Sequence, residues 1–260
     1  MITDRFEAAV SEFVRTEFGN KHLSINNQED ILWAVEKAYQ DMMPRTIKGH
    51  EIKVKEHCTK KLREKLLAIL KQRSPTSRED FKKKHIELCR DFLNELNAEL
   101  EKRSLALQKY GKAQKAVNMT FKYLYCFDGK DKYAGWFEYA HMPLDSLLLN
   151  WYESNPDRKV KTQKAWSNLD DSEYYDIAED IFGLLDRDPL YHNTIKLPKQ
   201  PLLADFIIWA EEKNRIRVSE LKAMLKKAAA DEAFCQWIDP NDAKEIKEAA
   251  YQIASCRGDK

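Results

Sequence analysis

Tyr110-Gly111-Lys112-Ala113-Gln114-Lys115-Ala116-Val117-Asn118-Met119-Thr120-Phe121-Lys122-Tyr123-Leu124 decides how this chain is read. A glycine turn opens a helix with a lysine in its first turn, and the spacing predicts that helix from about Lys112 to Phe127. Downstream, His141-Met142-Pro143-Leu144-Asp145-Ser146 is a proline-led turn that presents an aspartate at the start of the next helix. An amine and a carboxylate, each at a helix start, can serve as a nucleophile and its electrostatic partner.

Working outward, apolar residues recur at helical spacing almost throughout. Phe6, Val10, Phe13 and Val14 mark a first helix that ends near Gly19. Asn27 caps a second, with Ile31, Leu32, Val35 and Tyr39 inward. Ile52-Lys53-Val54 is expected as a short extended piece, followed by a helical stripe through Leu62, Leu66, Leu67 and Leu70. Ser77 with Asp80 reads as a capping box, opening a helix expected to reach about Leu107. Tyr133 to His141 is expected to be irregular, Ser146 to Tyr152 helical, and later helices fit roughly 171–185, 201–213, 218–229 and 241–255. The expectation is an all-α fold, one two-lobed helical domain over residues 1–260, with a lobe change near 104–111 and 156–170.

Composition agrees. Only 7 Gly and 8 Pro among 260 residues leave little turn chemistry for an all-β protein. Met1 to Phe18 is charged throughout, and no run is long and apolar enough to span a bilayer, so a cytoplasmic protein with no membrane partner is expected. The 5 cysteines form no C-x-x-C pair and the histidines are dispersed, which argues for no metal site and no cofactor. Net charge is only +1, but its distribution is uneven. Lys53 to Lys84 carries 12 Lys/Arg against 4 Asp/Glu, while Asp170 to Asp188 carries 8 acids and one Arg. Such opposed patches suit either an oriented polyanion binder or plain solvated helix faces.

Lys115 is the candidate nucleophile, because burial at the positive end of a helix disfavours an ammonium. Asp145 is the candidate N-cap, which would keep it ionised and able to offset developing positive charge. The aromatic residues Tyr123, Tyr125, Phe127, Tyr133, Trp136, Phe137, Tyr139, Trp151, Tyr152 and Trp166 either build core or face a ligand. Trp136 and Tyr139 are the pocket candidates, since both lie between Lys115 and Asp145 in sequence. Asn118 and His141 are polar groups on the same elements.

This pattern resembles the helix-hairpin-helix DNA glycosylase superfamily, closest to its archaeal 8-oxoguanine DNA glycosylase branch. The resemblance rests on Gly111, Gln114-Lys115, Thr120 and Lys122, on Pro143-Leu144-Asp145, and on the apolar, Asp-containing run Leu202-Leu203-Ala204-Asp205-Phe206-Ile207-Ile208-Trp209. It covers residues 105–152 and 200–210. The family's hairpin is here Leu107-Gln108-Lys109-Tyr110-Gly111, with only its final glycine kept. The resemblance implies a two-lobed glycosylase-like fold with a cleft between the lobes. It implies excision of an oxidised or modified purine from DNA, with or without lyase activity, through a Schiff base on Lys115 assisted by Asp145. Gln114, Asn118, Trp136, Tyr139 and His141 would then face the substrate base, and Lys109, Gly111 and Lys112 would grip the DNA phosphates. The alternative expectation is a non-enzymatic binding protein on a degenerate form of that fold, such as a factor in phage–host conflict.

Overall fold

A computed structural model describes residues 2–43, 51–187, 190–191 and 195–230. The chain divides into two compact units, Met1–Trp209 and Ala210–Lys260. The first is mostly helical: α1 (Ile2–Phe18), α2 (Gln28–Met42), α3 (Glu51–Leu70), α4 (Arg78–Glu101), α5 (Tyr110–Tyr125), the short α6 (Ala134–Phe137), α7 (Ser146–Ser154) and α8 (Asp171–Asp186). The start of α9 (Pro201–Ala230) completes it; in the second unit, the described residues are the continuation of that helix. A two-residue antiparallel pair, β1 (Leu190–Tyr191) with β2 (Ile195–Lys196), is the one sheet among the described residues. Among them, no helix is long and apolar enough to cross a membrane.

The helix starts follow local chemistry. Asn27 accepts the Glu29 amide, Ser77 the Asp80 amide, and Asp170 with Glu173 forms a reciprocal capping box. Gly19 ends α1 with φ +61°, a left-handed conformation that glycine adopts at low cost. Four expectations need correction. Tyr133 to His141, expected to be irregular, holds the short helix α6. Ile52-Lys53-Val54 is helical, because Val54 and Cys58 begin the same buried stripe that continues through Leu62 and Leu66. The helix after Ser77 stops at Glu101, where Lys102 and Arg103 fold back onto Glu99, so it does not reach Leu107. The expected helices 201–213 and 218–229 are one continuous α9, and the expected helix 241–255 lies outside the described residues.

The centre of the first unit is α5. Most of its residues are buried, on every face, as suits a helix wrapped by others. Phe13 of α1 and Phe206 of α9 meet edge to face at 5.2 Å, and Phe13 lies 5.6 Å from the Tyr123 ring of α5. On the other side α4 and α8 close over α5. There the two charge excesses meet: Arg78 pairs with Asp186 at 2.7 Å and Lys82 with Glu179 at 3.4 Å, and Arg90, just beyond the basic stretch, pairs with Asp171 at 2.6 Å. Elsewhere in the basic stretch, Lys55, Arg63 and Lys65 pair with Glu36, Glu29 and Asp91. Much of that stretch is therefore neutralised within the fold.

Candidate functional site

The helix of the opening motif begins at Tyr110, so Gly111 lies inside the first turn and Lys115 in the second. Gly111 is required by close approach. A Cβ there would sit 1.8 Å from the Trp166 carbonyl oxygen, and its amide donates to the Leu169 carbonyl at 3.0 Å. The segment around Trp166 thus covers the start of α5, and the Gly111 amide is not open to a phosphate. Its Trp166 ring stacks over two lysines, 4.7 Å from Lys115 Nζ and 5.3 Å from Lys112 Nζ.

Asp145 is the N-cap of α7, accepting the amides of Leu147 and Leu148 at 3.0 and 3.1 Å through Oδ1. Its other oxygen, Oδ2, lies 3.3 Å from Lys115 Nζ. One carboxylate thus fixes a helix start and holds an amine. The Lys115 side chain is only 12 % exposed. It opens into a cleft of about 610 Å³ shared with Asp145, Asp41, Lys122, Asp205 and Trp209.

Behind this pair runs a buried polar chain in which each group donates to the next. The Tyr110 hydroxyl donates to Tyr175 at 2.7 Å, Tyr175 to His85 Nδ1 at 2.6 Å, and His85 Nε2 to the Asn118 side-chain carbonyl at 2.8 Å. Asn118 donates to Gln114 at 3.0 Å and to the Tyr174 hydroxyl at 2.8 Å, and Tyr174 donates to His141 Nδ1 at 2.8 Å. Both histidines are neutral in this arrangement. Burial pushes His85 down to about 4 and His141 well below the ordinary histidine value. Gln114, Asn118 and His141 therefore lie behind the cleft, where they orient the turn that carries Asp145, and do not line it.

Lys122 lies seven residues beyond Lys115 on nearly the same face. It is 2 % exposed, ion-paired with Asp205 at 2.5 Å, and boxed by Phe13, Phe206 and Trp209 at 4.5, 4.9 and 5.4 Å. No hydrogen bond of ordinary geometry reaches either Asp205 oxygen, so Lys122 is its main compensation. Burial pushes the Asp205 carboxyl up to about 6, against the opposing pull of Lys122. Asp41 accepts the Tyr123 hydroxyl and is likewise raised by burial.

The remaining expected residues go elsewhere. Trp136 is core, stacked at 6.5 Å on Phe121 and edge-on to Phe81. Tyr139 reaches the Thr76 carbonyl at 3.4 Å. Neither lines the cleft: Trp136, on α6, is buried in the core, and Tyr139, just beyond α6, points toward the connection between α3 and α4. Lys109 is exposed at the N-cap position of α5. Lys112 is half-buried and donates to the Met42 carbonyl at the end of α2, and burial followed by the nearby Lys115 charge lowers its basicity. Sequence reading did not find Asp41 or the Lys122–Asp205 pairing. The usable signal for the second was an aspartate inside the apolar run 202–209, since a buried acid demands a cation. Among the described residues no group of three or more His, Cys, Asp or Glu is placed to hold a metal ion. Compared with known proteins, the chain matches no family model, no curated protein and no solved structure.

Proposed function

We propose that the chain is a DNA glycosylase that uses Lys115 as its nucleophile, on a helix-hairpin-helix glycosylase-like fold. One observation carries the reading: an amine and a carboxylate 30 residues apart in sequence lie 3.3 Å apart, largely shielded from solvent, on the wall of a cleft of about 610 Å³. That volume is ample for one nucleotide extruded from a helix.

In this reading Asp145 first takes a proton from the Lys115 ammonium, leaving a neutral amine. The nitrogen lone pair attacks the sugar C1′, forming an N–C1′ bond as the C1′–base bond breaks and its electrons leave with the base, which then picks up a proton. Sugar-ring opening gives the Schiff base. Asp145 passes the proton it took from Lys115 to the departing base and, ionised again, offsets the positive charge left on the sugar and the attached nitrogen. Trp166 covers the amine before substrate enters and is displaced or stacked upon when it does.

The test is incubation of the protein with oligonucleotides that each carry one oxidised or modified purine, reading free base and strand scission. Release from at least one, lost in Lys115→Gln, supports the reading.

The second reading, a binding protein without chemistry, draws on one specific observation. The Gly111 amide that the family motif would offer to phosphate is spent on Leu169. Tight, salt-sensitive DNA binding with no base release from any lesion favours it.

A further inference from the structure

Two routes to the DNA backbone that the sequence offered are closed or weakened: Gly111 is covered, and much of the basic stretch 53–84 is paired with acids. A third segment stands out. From Arg158 to Leu169 the sequence Arg-Lys-Val-Lys-Thr-Gln-Lys-Ala-Trp-Ser-Asn-Leu holds four cations and no acid. Up to Ala165 it forms neither helix nor strand, and exposure alternates along it from Arg158 to Gln163. Lys159, Lys161 and Gln163 are exposed, while Arg158, Val160 and Thr162 are half-buried. This is the period of an extended chain, so the three exposed residues project from one face.

The backbone of this segment is fixed. Asp180 accepts the amides of Lys159 and Val160 at 2.6 and 3.3 Å and the Tyr152 hydroxyl at 2.6 Å. At the other end Leu169 receives the Gly111 amide, and Trp166 lies against Lys115. Lys164 is spent on Glu173 at 2.5 Å. Asp180 lies close enough to draw on Lys159, but no ion pair within 4 Å occupies Lys159 or Lys161 among the described contacts. The result is a prearranged basic strap that ends at the proposed nucleophile. Trp166 is five steps along the chain from Lys161, a span of at most about 18 Å, over which one DNA strand presents roughly five phosphates.

We propose that residues 158–165 form the nucleic-acid backbone track of this protein, with Lys159 and Lys161 each neutralising a phosphate of the strand whose nucleotide enters the Lys115 cleft. This rests on the reading that the chain acts on DNA, but not on the Schiff-base chemistry. A fixed backbone lowers the ordering cost of binding. Phosphate contacts carry no sequence information, so the strap sets affinity and register and leaves lesion choice to the cleft.

The experiment is fluorescence anisotropy with a labelled duplex oligonucleotide from 50 to 200 mM salt, for wild type, Lys159→Gln/Lys161→Gln, and the control Lys60→Gln/Lys71→Gln on the basic stretch. Each lost phosphate contact removes about 0.9 from the slope of log affinity against log salt. The strap variant should therefore show a slope shallower by about 2, and its deficit relative to wild type should shrink roughly tenfold across that salt range. The control pair should keep the wild-type slope. An unchanged slope in the strap variant, or a loss confined to the control pair, overturns the proposal. A wild type that binds no duplex overturns it together with the glycosylase reading. Strap-dependent binding without base release from any lesion upholds the track and defeats the chemistry alone.

Discussion

Gln114 grips Leu144 from both sides: its side-chain amide donates to the Leu144 carbonyl at 2.7 Å, and its side-chain carbonyl accepts the Leu144 amide at 3.2 Å. Lys115 follows the one and Asp145 the other, so this clamp sets the separation of the reactive pair. The same glutamine also bonds Gly111 and Asn118, leaving its hydrogen-bonding capacity filled. Gln114→Leu should strand the Leu144 amide and carbonyl and cost about 2–4 kcal/mol. Urea unfolding measures this; a loss below about 0.5 kcal/mol would show that the clamp is dispensable.

Two helical glycines should respond in opposite directions to alanine. Gly183 in α8 has open space around its Cβ position, so Gly183→Ala should gain about 0.5–1 kcal/mol from helix propensity. Gly111→Ala must displace the Trp166 carbonyl, and should lose about 1–3 kcal/mol or more. It should also shift tryptophan fluorescence as the ring leaves Lys115. Equal stabilisation of both variants would mean that the 166–169 segment does not sit on α5.

How far the sequence carried can be seen on α5 and its partners. Helical periodicity and the caps at Asn27, Ser77 and Asp145 were legible because they are local: a polar side chain reaches an amide two or three residues on. The pairing of Lys115 with Asp145 was legible only through the motif and its resemblance. The failures share a cause. Ile52-Lys53-Val54 is β-branched at both ends, yet tertiary burial of Val54 overrides that preference. Trp136 and Tyr139 lie between the reactive residues in sequence and away from them in space. The neutralisation of the basic stretch by α8 depends on residues about 100 apart, such as Arg78 and Asp186, for which local patterning holds no signal.

Acid should destabilise the protein through its buried histidines. A histidine whose folded value is depressed binds its proton more readily when unfolded, so stability is present above the unfolded value near 6.5 and is lost as pH falls toward about 4 for His85. His141 acts in the same direction. Asp205 opposes them: its folded value is raised from 3.8 to about 6, so the folded state takes up a proton in that window and stability declines as pH rises through it. Asp41, also raised by burial, acts with Asp205, but the two histidines lose stability from the higher starting point near 6.5, so acidification from pH 7.5 leaves a net loss. The urea midpoint should fall between pH 7.5 and 5, and Asp205→Asn should steepen the fall. A midpoint that rises toward pH 5 would contradict the neutral-histidine assignment.

Asp145→Asn separates capping from chemistry. An asparagine caps nearly as well as an aspartate, so stability should change by less than about 1 kcal/mol. Base release should drop by about a hundredfold or more, because an amide can neither take the Lys115 proton nor offset the charge developing on the sugar. Parallel loss of stability and turnover would reduce Asp145 to a structural cap.

The central claim, that the Lys115 amine is the nucleophile, is tested most directly by borohydride reduction in the presence of lesion-bearing oligonucleotides, followed by peptide mapping of the protein–DNA adduct. Wild type should yield an adduct on Lys115, and Lys115→Gln should yield none while still binding DNA. Lys122→Gln should keep the adduct, since that amine is enclosed by rings and held by Asp205. An adduct that maps to Lys112 or Lys122, or one that survives in Lys115→Gln, would contradict the claim.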